Sequence, residues 1–311
     1  MPESDFNLNE NTVSDNFDLK RQRADVLTFF APLLFMLLHA IFLNLAAMGI
    51  AVIYYLVNDV SLTAFSETQV FEHLFLESQA QNWSSVLLGL VMSPVYLVYL
   101  KYRSRKYPDI LLTERAPARY WLTGFSAIMG SLGISMIWIS LLIYMGDFIP
   151  VIKEHYHNYI NAAEALQHLD GYFWLEILAV VIMIPIAEEL LFRGILQGEV
   201  RRVAPAGLAV FLSAIVFALF HILPFQIAFV IIPGLVLALV YELTRNILIP
   251  IFMHMVYNFF GGGIFSRLAG LPDDSMVLFW VEMAFIIIGL ILLVLLILER
   301  SKAKKSIRTE V

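Results

Sequence analysis

The sequence predicts an all-α membrane protein: a polytopic bundle of about eight transmembrane helices with a polar cavity inside it. Three observations predict this. Of the 311 residues, 60% are hydrophobic and 15% charged, against roughly half and a quarter in soluble domains. The apolar residues fall in runs long enough for a helical crossing, which takes about 20 of them. The lysines and arginines fall in alternate loops between those runs. The same composition excludes a soluble globular enzyme and a largely disordered chain. With no cysteine, disulfides, thiolate metal sites and a cysteine nucleophile are excluded. A formal charge of −6 offers no basic footprint for nucleic acid.

The first 19 residues are polar and acidic with no basic region or apolar core, and the segment 1–25 is expected to be a disordered tail rather than a signal peptide. Three apolar helices follow within 26–170, at 26–57, 83–100 and 120–146. A core at 171–262 opens with a helix from about Gly171 that contains Glu176, Glu188, Glu189 and Arg193. The uncharged run 204–241 suits two crossings, split at Leu223-Pro224 because proline ends or kinks a helix. The seventh crossing is expected over 246–266. The last, at 275–298, lies within the segment 263–299 and is followed by a basic tail at 300–311.

All but three of the 20 basic residues sit before the first helix, between the second and third, after the fourth and sixth, or at the C-terminal end. Acidic residues collect in the remaining loops. The positive-inside rule then puts both termini in the cytoplasm, in the cell membrane, expected to be a bacterial inner membrane.

Ionisable groups inside a bilayer are expensive and by default mark a site. Glu189 and Arg193 are four residues apart, on one helix face and in the favourable order, so they can neutralise each other. Glu188, rotated about 100° away, is left available. Phe217 and His221 are likewise four apart, as are His254 and Asn258, on two later apolar helices. Counting about 1.5 Å per residue from the cytoplasmic ends puts Glu188 roughly 20 Å deep, His221 roughly 22 Å and His254 roughly 12 Å, one broad layer in which they can converge. The chemistry suggested is hydrolysis. Glu188 takes a proton from water, His221 helps to hold that water, and His254 and Asn258 donate to the oxyanion. The same four side chains, Glu188, His221, His254 and Asn258, could instead ligate a metal such as zinc. The spacing is not the H-E-x-x-H of soluble zinc proteases.

These segments resemble the CAAX-processing and bacteriocin-processing family of intramembrane endopeptidases (CPBP, or ABI). Its pattern is Glu-Glu-x-x-x-Arg, Phe-x-x-x-His and His-x-x-x-Asn on three membrane helices. Glu188, Glu189, Arg193, Phe217, His221, His254 and Asn258 fill every position in order, over roughly residues 171–262. The resemblance implies an eight-helix membrane protease related to the Ras-converting CAAX endopeptidase. It assigns water activation to Glu188 and His221 and the oxyanion site to His254 and Asn258, and allows a metalloenzyme. The partners it implies are a peptide or membrane-associated protein substrate and the lipid bilayer. The rival reading is a non-catalytic immunity or assembly factor that binds such a partner. A proton-coupled transporter is disfavoured by the lack of paired repeats.

Other polar residues receive plainer readings. His39 is expected to make a helix–helix hydrogen bond. His155, His157 and His168, with Glu154, Glu164 and Asp170, are read as a solvated loop with at most a short helix. Glu176 and Glu282 are expected to reach water at the outer boundary. Pro185 and Pro250 precede Glu188 and His254 by three and four residues, where each frees a backbone carbonyl and can open a wet cavity. Phe217 shapes that cavity's wall. Gly261-Gly262-Gly263 lets its helix pack closely or end.

Overall fold

A computed structural model describes residues 22–58, 74–167, 172–272 and 275–309. The expected N-terminal tail, His168 and Asp170 lie wholly or largely outside them. The described chain is helical, with no strand beyond an isolated bridge between Thr113 and Asn246.

The elements are α1 (Val26–Asn58), α2 (Ala80–Ser104), α3 (Ala118–Gly146), α4 (Pro150–Gln167), a composite rod α5 over 173–203, α6 (Ala206–Leu219), α7 (Pro224–Thr244), α8 (Leu248–Gly261), the short α9 (Ile264–Ala269) and α10 (Met276–Thr309). Five of these, α1, α2, α3, α7 and α10, are long and apolar enough to cross a bilayer. The protein is a polytopic membrane bundle.

Two expected crossings are shorter than their apolar runs. α6 and α8 have 14 residues each, about 21 Å at 1.5 Å per residue, short of a hydrocarbon core of about 30 Å. α6 stops at a tight turn over 220–223, where the chain reverses into Pro224. α8 stops where Gly263 takes a left-handed φ of +72°, a conformation glycine adopts without steric cost. The segment 150–167 is likewise not a loop but an 18-residue helix. It is amphipathic: Tyr156 and Tyr159 pack on Phe225 with ring centroids 5.3 and 5.6 Å apart, and Tyr159 also on Phe229, while Lys153 and Glu154 stay exposed.

α3 and α10 pack with backbones in near contact. A Cβ on Gly289 would lie 2.5 Å from the Ser126 carbonyl oxygen, and one on Gly130 2.6 Å from that of Phe285. Small residues permit such approach where no water is available to drive helices together.

One end of the bundle is held by charge. Asp25 accepts the Thr28 N–H at 3.0 Å while its own N–H donates to Thr28 Oγ1 at 3.0 Å, a reciprocal cap for α1. Arg103 on α2 forks between Asp25 (2.7 Å) and Glu199 (2.6 Å). Arg202 pairs with Glu199 at 3.1 Å, and Arg201 with Glu242 at 3.0 Å. Arg245 pairs with Glu114 and Asp109. The Arg103 guanidinium, with Thr28 and Tyr107, holds the Asp25 carboxyl well below the usual carboxylate range. Several arginines that look like free loop charges in the sequence are therefore buried and neutralised, tying α1, α2, α5 and α7 together at this end.

Candidate active site

The rod α5 is continuous but not uniformly α-helical. Segments Ile177–Met183 and Leu190–Gln197 are π-helical, and Ile184–Glu189 between them is α-helical. Such wide turns concentrate at functional positions. In the first, the Ile184 N–H reaches back five residues to the Ala179 carbonyl. The next donor in that ladder would be residue 185, a proline with no N–H. The Val180 carbonyl left over accepts Asn258 Nδ2 of α8 at 2.8 Å. In the second, the Phe192 carbonyl accepts Ser213 Oγ of α6 at 3.1 Å. Side chains of neighbouring helices thus satisfy backbone groups on either side of the carboxylates.

Glu188 and Glu189 sit at mid-length. Glu189 is fully buried, and its Oε1 lies 3.0 Å from Arg193 Nη1 and 2.9 Å from His254 Nδ1. Because a carboxylate only accepts, an ionised Glu189 fixes His254 Nδ1 as the protonated nitrogen. His254 Nε2 then points toward Glu188 Oε2 at 3.8 Å, beyond hydrogen-bond range. Arg193, also fully buried, donates from Nη2 to the Gly234 carbonyl at 3.1 Å and lies 4.4 Å over the Phe217 ring. A Cβ at Gly234 would come within 3.0 Å of that ring, so glycine lets α7 approach this closely. Glu189 Oε2, Arg193 Nε and Arg193 Nη1 lack a hydrogen bond of good geometry.

His221 is not on a helix, contrary to the sequence reading. It follows the end of α6, and the Leu223 N–H closes a three-residue turn onto the His221 carbonyl at 2.7 Å. Ile222 in its centre has φ +64°, a left-handed conformation that costs a β-branched residue energy and recurs at functional sites. His221 Nδ1 is 2.9 Å from the Phe217 carbonyl. A carbonyl accepts, so Nδ1 donates, and the neutral ring presents its Nε2 lone pair elsewhere. The Phe217 ring stands edge-on to both imidazoles, 5.0 Å from His221 and 5.7 Å from His254.

The structure thus brings Glu188, Glu189, Arg193 and His254 into direct company. It joins His221 to them through Phe217 and anchors Asn258 on Val180. It also adds a wall that no motif indicated. His39 of α1, 1% exposed, shares a 3.0 Å hydrogen bond with Tyr96 of α2, the helix–helix bond expected for it. His39 packs edge-on to Phe220 at 5.3 Å, and both His39 and Tyr96 lie within electrostatic reach of Glu188. A histidine in an apolar run was the only available signal. The donor set does not fit zinc as it stands. Among the described residues no three His, Asp or Glu side chains converge as a metal-binding group, and Glu188 with His254 supplies only two donors.

Residues 170–260 match the family model described as type II CAAX prenyl endopeptidase, Rce1-like. No curated protein and no solved structure matches the chain. The matched segment contains the two carboxylates, the arginine, both imidazoles and the amide described above. Over residues 170–260 the chain is therefore similar to the Rce1-like type II CAAX prenyl endopeptidases of the CPBP family.

Proposed function

We propose that the protein is an intramembrane endopeptidase that cuts a peptide or the end of a membrane-associated protein, using water activated by Glu188. The observation carrying this reading is a buried carboxylate at mid-length of α5 with no hydrogen-bond partner among the described residues, 3.8 Å from an imidazole whose other nitrogen is already committed. A charge kept in that position without a partner is poor value for stability.

Glu188 takes a proton as the water oxygen bonds to the scissile carbonyl carbon, and His221 Nε2 accepts a hydrogen bond from the same water. The oxyanion is held by His254 Nε2–H and by the Asn258 N–H not engaged with Val180. With Nδ1 donated to Glu189, His254 can donate from Nε2 only as imidazolium. That charge together with Arg193 balances Glu188 and Glu189. When the C–N bond breaks, Glu188 returns its proton to the amine nitrogen. No step is routed through a metal. The arginine-rich end faces the cytoplasm of a cell membrane in this reading, because that end carries most of the basic residues.

The test is cleavage of a membrane peptide library by the purified protein. Glu188→Gln is expected to lower the rate about 10³-fold and His221→Ala about 10²-fold, within the range of general acid–base contributions, with unchanged thermal unfolding. Cleavage at the native rate by folded Glu188→Gln protein overturns the mechanism and favours a binding role.

A further inference from the structure

A cavity of about 940 Å³ lies between α2, α3, α4, α7, α8 and α10, at the end of the bundle away from the arginine network. Its size is at the upper end of the range of about 300–1,000 Å³ typical of ligand pockets. Leu132, Met136, Ile139, Phe229 and Phe279 make much of its wall. Three further lining residues, Val180, Leu223 and Tyr257, adjoin the candidate active site. Val180 holds the Asn258 amide, Leu223 closes the turn that carries His221, and Tyr257 precedes Asn258. The cavity thus ends beside the residues that position His221 and Asn258, although Glu188, His221, His254 and Asn258 do not themselves line it.

Glu282 of α10 also lines this cavity. The sequence suggests that Glu282 reaches bulk water, but it is only 8% exposed, and its Oε2 is buried without a hydrogen-bond partner among the described residues. The cavity's other acid, Glu176, is already paired with Arg267 at 2.6 Å. No lysine or arginine is among the lining residues. A buried carboxyl is costly unless something donates to it, and the described residues supply no such donor to Glu282 Oε2.

We infer that this cavity receives the stretch of substrate beside the scissile bond, and that Glu282 pairs with a lysine or arginine side chain flanked by apolar residues. The inference rests on the endopeptidase reading and adds to it a substrate chemistry and a direction of approach. The apolar wall takes up the flanking side chains, and the lone carboxyl selects the cation among them.

Binding separates this proposal from catalysis. The full chain carrying Glu188→Gln, in phosphatidylcholine nanodiscs, is titrated with a fluorescent leucine–alanine peptide containing one central lysine, and with its norleucine counterpart. The lysine peptide is expected to bind at least tenfold more tightly. Adding Glu282→Gln brings the ratio close to one by weakening the lysine peptide alone, and Met136→Trp, on the cavity wall, weakens both peptides. A ratio near one at the outset, absence of binding by either peptide, or a ratio that survives Glu282→Gln overturns the proposal. So does a ratio that collapses when phosphatidylethanolamine is added, which would give the carboxyl to a lipid ammonium. Glu188-dependent cleavage with no lysine preference removes the cavity proposal and keeps the endopeptidase. A Glu282-dependent preference with no cleavage does the reverse.

Discussion

Two buried charge clusters in this molecule are built from the same residue types and differ in how completely they are satisfied. At the arginine-rich end, Glu199 accepts from Arg103, Arg202 and Tyr99, and Arg103 uses Nε, Nη1 and Nη2 on Glu199 and Asp25. At mid-length of α5, Glu189 and Arg193 each retain buried atoms without a good hydrogen bond, and Glu188 has no hydrogen-bond partner among the described residues. Both clusters are buried, so a charge left without full pairing costs more at the second place than a paired one does at the first. The saturated cluster reads as an anchor, and the incomplete one keeps donors and acceptors for something that arrives later.

This contrast can be broken by substitution. Arg193→Met leaves Glu189 buried with only His254 as partner and is expected to cost about 3–5 kcal/mol of stability, the usual result of removing one member of a buried pair. Unfolding in mixed micelles measures it, and a cost under about 1 kcal/mol would put Arg193 outside the structural core. Glu199→Gln should cost about 3 kcal/mol by the same reasoning while leaving the cleavage rate per folded molecule unchanged. A rate loss there would show that the two clusters are coupled.

Pro185→Ala sharpens the contrast from the other side. It returns an N–H that competes for the Val180 carbonyl and releases Asn258, so the cleavage rate should fall about tenfold, equivalent to about 1.4 kcal/mol, with stability equal or higher. Native activity in that variant would mean that Asn258 needs no anchor. Asp25→Asn should have the smallest effect, about 1 kcal/mol, typical of a lost cap. The folded-state pKa of Asp25 is depressed, so its contribution is complete above the ordinary carboxylate range near 3.9 and disappears as pH falls through the lower folded value. Stability measured from pH 7 down to 3 should therefore decline less steeply in Asp25→Asn than in the native chain.

Much of the fold was legible because membrane burial writes long apolar runs and leaves charges at their ends. The Glu189–Arg193 pairing followed from four-residue spacing, and the glycine run does end α8. Other features left no pattern to read. The π-helical turns of α5 lie in stretches where nearly every residue is apolar, so a change from 3.6 residues per turn shifts no visible stripe. His221 follows a helix end set by an unfavourable Ile222 conformation, which tertiary packing imposes and local preference does not predict. His254 meets Glu189 through the crossing of two helices 65 residues apart. α4 was missed because its packed face is Ile152 and two tyrosines among histidines and a lysine, a composition shared by many solvated loops.

The mixed geometry of α5 also fixes how the rod tolerates change in length. A single π turn accommodates one residue more than the surrounding α-helix would. Deleting one residue from 177–183 would let that stretch tighten into ordinary helix with its two flanks still nearly in phase, because the wide turn already absorbs the extra residue. Deleting one from Ile184–Glu189, which is α-helical and has no such slack, would instead turn everything on one side by about 100° relative to the other. The carboxylates and the stretch that holds Asn258 would then no longer share a phase. The rod thus tolerates a change in length where its turns are wide and not in the short α-helical piece between them.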